Sequence, residues 1–167
     1  MGEPAHITLT LRSDPKYLAG AREMMSSVAR RLGFDEISCS QIALAVDEAL
    51  CNVIRHGYDR RQDAPIWLRL WPQPTDDGQP GLRVEVEDEA KQVDPSSMKG
   101  RNLDDIRPGG LGVHIIREVM DDVVYEQREG GVGMRLVLIK QGNVKPAMAA
   151  ESSCDAPDRD TPHKEDA

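Results

Sequence analysis

The sequence predicts a layered α/β domain of the α+β kind, a two-layer sandwich in which helices cover one face of a mixed, mostly antiparallel sheet. Three observations predict it. Segments with hydrophobic period two alternate with segments of helical period. Two of the strand-like segments are joined by "GG", a hairpin signal. Glycine or proline stands at the ends of the helical segments.

Taken in order, "HITLTLRS" alternates apolar and polar residues, as a half-buried strand does. "DPKYLAGAREMMSSVARRLGF" follows Ser13-Asp14-Pro15, a cap-like residue with proline at the first helical position. Leu18, Met25, Val28 and Leu32 make its apolar stripe, and Gly33 ends it. "DEISCSQIALAVDEALCNVIRHG" predicts a second helix that stops at Gly57. "PIWLRLW" and "GLRVEVED" read as strands separated by the turn-rich "PQPTDDGQP". "GLGVHIIREVMDD" predicts a helix entered through glycines, and "VVYEQRE" and "GMRLVLIK" the closing hairpin. Residues 1–142 therefore form one domain. Residues 143–167, rich in Ala, Asp, Pro and Ser, have too few large apolar groups to offset their ordering entropy and predict a disordered acidic tail. No internal repeat is visible.

Composition narrows the function. The chain has 167 residues, enough for a real core, and a net charge of -8. That charge argues against unaided binding to nucleic acid or an anionic membrane. A single Phe argues against a base-stacking platform. No apolar run is long enough to span a bilayer, and no signal peptide is evident at the N-terminus. Cys39, Cys51 and Cys154 are odd in number and lack metal-like spacing, which fits a reducing cytoplasm with Cys39 and Cys51 as small core residues.

The second predicted helix carries Glu48, Asn52 and His56 at four-residue intervals in a segment otherwise mostly apolar. At about 100° per residue, Ile42, Val46, Ala49, Leu50 and Val53 fill one wide arc and the polar row borders it. Such a row lines a cleft or forms a solvated helix edge, and its spacing alone does not separate the two. Asn is a poor interior helix former, which favours a functional role.

Two further stretches bear on the choice. In "VEVEDEAKQVDP" a strand runs out into Asp88, placed to accept a hydrogen bond from an exocyclic amine of a purine or simply to close a turn. In "RPGGLGVHIIREVMD" Gly109, Gly110 and Gly112 lead into a helix N-terminus, whose free amides and dipole favour phosphate.

Together, in this order and at these distances, the three stretches resemble the GHKL ATPases: gyrase, heat-shock protein 90, histidine kinases and mismatch-repair ATPases. Within them, "DEALCNVIRHGY" and the "DP…PGGLG…I…MD…V…Y" pattern resemble the small bacterial anti-sigma-factor serine kinases, over roughly residues 5–140. The resemblance implies a Bergerat-type ATP-binding fold. It implies Glu48 as general base, Asn52 as ligand of Mg²⁺ and Asp88 as partner of the adenine amino group. It further implies Gly109, Gly110, Leu111, Gly112 and Val113 around the phosphates of ATP, and residues 95–108 as a lid in which Arg107 or Lys99 offsets phosphate charge. His56 completes the row and supports either ligand or the helix end. The implied activity is serine/threonine kinase action on an anti-anti-sigma STAS-domain partner, with sequestration of a sigma factor. A homodimer is compatible with it. The alternative is an ATP-dependent partner-switching module without phosphoryl transfer. Two departures stand out. Ala90 occupies the glycine position of the usual D-x-G, and the last hairpin lacks the Thr or Ser often found near its start.

Overall fold

The computed structural model describes residues 3–94, 111–128 and 130–142. Strand β1 is Ile7–Arg12, followed by a 3₁₀ turn at Pro15–Tyr17 and helix α1 at Leu18–Arg31. Helix α2 is Glu36–Asn52, continued by a π-helical turn at Val53–Gly57. Strands β2 (Pro65–Pro72) and β3 (Gly81–Asp88) come next, then helix α3 (Leu111–Val119), then β4 (Asp122–Gln127) and β5 (Met134–Gln141). The strands line up as β1-β2-β3-β5-β4, and every described pairing is antiparallel. The expected mixture of directions is therefore not seen in the described sheet.

Local chemistry explains the element ends. Asp14 accepts from the Lys16 amide at 3.0 Å with Pro15 at the first position, so the proline costs no hydrogen bond. Gly33 closes α1 at φ +98°, a conformation that disfavours any side chain. Asp35 caps α2 by accepting from the Ser38 amide at 2.6 Å, and Arg30 grips Glu36 with two bonds of 2.8 and 3.0 Å across the α1–α2 junction. The β4–β5 turn uses Gly130, Gly131 and Gly133, all at positive φ.

One face of the sheet carries Ile66, Leu68, Leu70, Leu82, Val84, Val86 and Leu138, all at most 1% exposed. Met25 of α1, Ile42, Val46 and Leu50 of α2, and Ile116 of α3 cover it. Each such side chain contributes about 1.5–3 kcal/mol on burial. Helix α2 is the central one, and with its π turn it runs over Glu36–Gly57, long and apolar enough by length and composition to cross a bilayer. The sequence expectation rested on uninterrupted apolar runs, which Asp47, Glu48 and Asn52 cut short. Cys39 is fully buried on this helix, as expected, whereas Cys51 is only half-buried.

The opposite face of the sheet holds no helix among the described residues. It is tiled by long polar and aromatic side chains. The Arg128 guanidinium lies 5.0 Å over the Trp67 ring and that of Arg83 lies 5.3 Å over Trp71. Glu87 sits between Arg69, at 2.8 Å, and Arg128, at 3.5 Å, while Glu85 pairs with Arg83. The two glutamates are only 8% and 5% exposed.

Candidate functional site

The polar row on α2 follows from where the helix is buried. Ala45, Val46, Ala49 and Leu50 are inside, and Glu48 and Asn52, one turn apart, are half-buried beside them. The straight row stops there. From Val53 the helix widens, with the Tyr58 amide bonded to the Val53 carbonyl at 2.8 Å and the Arg60 amide to Ile54 at 2.7 Å. Four residues of such a turn fall short of a full revolution, so His56 leaves the line of Glu48 and Asn52, and it is exposed.

Helix α3 starts against this row. A Cβ built on Gly112 would lie 2.6 Å from Glu48 Oε2, 3.3 Å from Asn52 Nδ2 and 3.4 Å from Asn52 Oδ1. Only glycine lets the two helices approach so closely with both polar side chains in place. The amides of a first helical turn lack intrahelical acceptors, so Leu111, Gly112 and Val113 bring donors to the point where α2 brings a carboxylate and an amide oxygen. Residues 64 positions apart in sequence are thus in contact. Gly109, Gly110, Arg107, Lys99 and the expected lid at 95–108 lie outside the described residues.

Asp88 ends β3 and is 4% exposed. The Ala90 amide donates to its Oδ1 at 2.8 Å and the Met134 amide to the same oxygen at 3.2 Å. Burial pushes this carboxyl above its ordinary value, against the pull of those two amides and the Arg128 charge. The Met134 amide supplies a backbone donor at the hairpin position where the sequence offers no Thr or Ser. The methyl of Ala90 packs toward Gly57, where an added Cβ would meet it at 3.1 Å.

The loop after Asp88 is held from several sides that sequence spacing does not reveal. Tyr58 Oη donates to the Pro65 carbonyl and accepts from the Glu89 amide, both at 2.6 Å. The Gly133 amide donates to the Ala90 carbonyl at 2.8 Å. Gln92 Nε2 donates to the Arg128 and Gly133 carbonyls, and Arg128 Nη1 to the Asp88 carbonyl at 2.8 Å. Apart from Tyr58 to Pro65, seven positions apart, each of these contacts joins residues 31 or more positions apart, and no local chemistry at Tyr58 or Arg128 announces the partner it finds.

The donor set suits a nucleotide with a hard cation. Among the described residues no group of three or more His, Cys, Asp or Glu could hold a metal alone. Asn52 offers one hard oxygen at the rim of the α3 cradle, and Mg²⁺ is commonly held by one or two protein oxygens, phosphates and water.

Several known proteins are similar to this chain. The serine-protein kinase RsbW of Listeria monocytogenes is 29% identical over 146 residues, covering 83% of this chain and 88% of that protein. The serine-protein kinase RsbW of Staphylococcus epidermidis is 27% identical over 150 residues, covering 84% and 91%. That of Oceanobacillus iheyensis is 25% identical over 133 residues, covering 75% and 81%. A crystal structure of the RsbU and RsbW domains of a Mycobacterium tuberculosis protein shares the fold, with a TM-score of 0.55 at 17% identity over 80% of this chain and 31% of that one. The model of the family described as histidine kinase-like ATPase domain matches residues 11–140, and the chain belongs to that family.

Proposed function

We propose that this chain is an ATP-dependent serine/threonine protein kinase of the RsbW kind, acting on an anti-anti-sigma STAS-domain protein and sequestering a sigma factor. The observation that carries this reading is the seating of Gly112 on Glu48 and Asn52, which puts a carboxylate, an amide oxygen and the start of a helix at one point. Its kinase relatives of similar length support the same chemistry.

In this reading Asp88 accepts from the adenine amino group, and the amides of Leu111, Gly112 and Val113 bind phosphate oxygens together with Gly109 and Gly110. Asn52 Oδ1 would hold Mg²⁺, which supplies charge neutralisation on the triphosphate. Arg107 compensates further charge, and His56 lies beyond the row as a lesser contact. Glu48 accepts the hydroxyl proton of the partner's serine or threonine as that oxygen bonds to the γ-phosphorus and the bond to the β-phosphate oxygen breaks, leaving ADP. Residues 1–142 carry the activity, and the acidic stretch 143–167 is dispensable for it.

The test is single-turnover transfer from labelled ATP to STAS-domain proteins of the same genome. Glu48→Gln keeps shape and nucleotide affinity but removes the proton acceptor, so transfer falls by ~10²–10⁴-fold, toward the lower end because positioning and charge carry much of this reaction. Equal rates in both proteins would refute the role of Glu48. Nucleotide-dependent binding of the partner without label would show a switching module instead of a kinase.

A further inference from the structure

We propose that Tyr58 is a positioning residue for purine recognition, holding the Asp88 loop in register with the Asn52 end of α2. The proposal rests on the reading of Asp88 as the adenine-binding group. Asp88 Oδ1 is taken by the amides of Ala90 and Met134, so discrimination by this carboxylate falls to Oδ2, whose direction depends on the backbone of residues 88–90. Arg128 and Gly133 hold that backbone from the β4–β5 side. On the α2 side the described hydrogen bond is from the Glu89 amide to Tyr58 Oη at 2.6 Å, with the same hydroxyl donating to Pro65.

Tyr58 reaches this place because of the π turn. Its amide bonds back to Val53, the residue after Asn52, and its ring is buried to 7% exposure beneath the end of β3. A regular α-helical ending would rotate the residue away from that position. Gly57 makes room on the same side, since a Cβ there would press on the Ala90 methyl at 3.1 Å. The base end and the metal end of the candidate site are therefore joined by six residues of one helix and one phenol.

The experiment compares ATP with purine riboside triphosphate, which lacks the 6-amino group, by equilibrium titration of the full chain in Mg²⁺. The wild type should prefer ATP by roughly 10–100-fold, the worth of one hydrogen bond to a charged acceptor. Tyr58→Phe keeps the ring and should cut that preference to below about 5-fold, while affinity for the purine analogue stays within about 2-fold. A preference unchanged in Tyr58→Phe overturns the proposal, as does an equal loss for both nucleotides, which a merely structural role would give. If the wild type binds both nucleotides equally, the Asp88 assignment falls and this proposal with it. If it binds neither, the ATP-dependent function itself is wrong. Should Tyr58→Phe not fold, hydrogen exchange in the wild type decides. Slow exchange of the Glu89 amide that slows further with ATP, and not with the purine analogue, supports the role. Rapid exchange at Glu89 overturns it.

Discussion

Gly112→Ala should raise stability and lower activity together. Gly112 lies in the first turn of α3 at a backbone conformation open to any residue, so alanine removes unfolded-state freedom and adds helix propensity. The gain is up to ~1 kcal/mol, smaller in a first turn than in a helix interior. Against it stands the new methyl, 2.6 Å from Glu48 Oε2. That oxygen ends a flexible side chain, so it yields cheaply by rotating away. To reach an ordinary separation of about 3.4 Å it must retreat by about 0.8 Å. Asn52, at 3.3 and 3.4 Å, needs to move little. A general base works at about 2.6–3.2 Å from its proton donor, and a misplacement near 1 Å costs ~10²-fold. Thermal unfolding should therefore show an unchanged or slightly raised Tm, by a few degrees at most. ATP titration should show affinity within several-fold of wild type, and single-turnover transfer should fall by roughly 10²-fold. Wild-type transfer in a folded Gly112→Ala protein would show that the contact with Glu48 has no part in the chemistry. A collapse of Tm would show that the methyl cannot be accommodated by rotation of Glu48.

Further outcomes follow from the same geometry. Asn52→Ala should leave the melting curve intact, the side chain being only half-buried, and abolish Mg²⁺-dependent ATP binding; isothermal titration with and without Mg²⁺ reads this, and unchanged Mg-ATP affinity removes Asn52 as the metal ligand. Asp88 has a raised pKa through burial, so in the window between its unfolded value near 3.9 and its folded value the native state holds a proton the unfolded chain has lost. Its contribution to apo stability is full below that window and is lost as pH rises through the folded pKa. ATP affinity, which needs the ionised form, should run the other way and weaken on acidification. Wild type compared with Asp88→Asn across pH isolates both slopes, and parallel curves would refute the assignment. Gly133→Ala should destabilise by more than ~2 kcal/mol, because its φ of +87° is unfavourable to alanine and a Cβ would collide with the Asp88 carbonyl oxygen; denaturant unfolding measures it, and a loss under ~0.5 kcal/mol would contradict the packing.

Much of the fold was legible because burial wrote it at the right period. Ile66, Leu68 and Leu70 alternate with Trp67 and Arg69, and the structure buries the first set under the helices and gives the second set to the other face. Asp14, Pro15, Gly33 and Asp35 announce helix ends by local chemistry, which one sequence displays in full. The site was legible where contacts run along one helix, as from Glu48 to Asn52. It failed at His56, because a π turn has no composition signature and the four-residue count assumes an unbroken α-helix. Tyr58, Gln92 and Arg128 were missed for a related reason. Their partners are backbone groups brought together by strand order, and a sequence does not mark which carbonyl a side chain will find. Strand direction was legible in the main: a mixed, mostly antiparallel sheet was expected, and β1-β2-β3-β5-β4 is antiparallel in every described pair.

The tiling of the helix-free face gives the molecule an optical probe in a useful place. Its two tryptophans both lie there, four residues apart on β2 and half-buried, each under a guanidinium. Trp71 is tethered by its indole N–H to the Glu3 carbonyl at 3.0 Å, remote from the loop after β3. Trp67 is different, because the cation above it, Arg128, also grips the Asp88 carbonyl. A shift of that loop drags the charge across the Trp67 ring and changes its emission with no indole in the cleft itself. With Trp71 replaced by phenylalanine, intrinsic fluorescence would follow movements around Asp88 from the far side of the sheet, free of the direct stacking that a bound base imposes on a dye placed beside it.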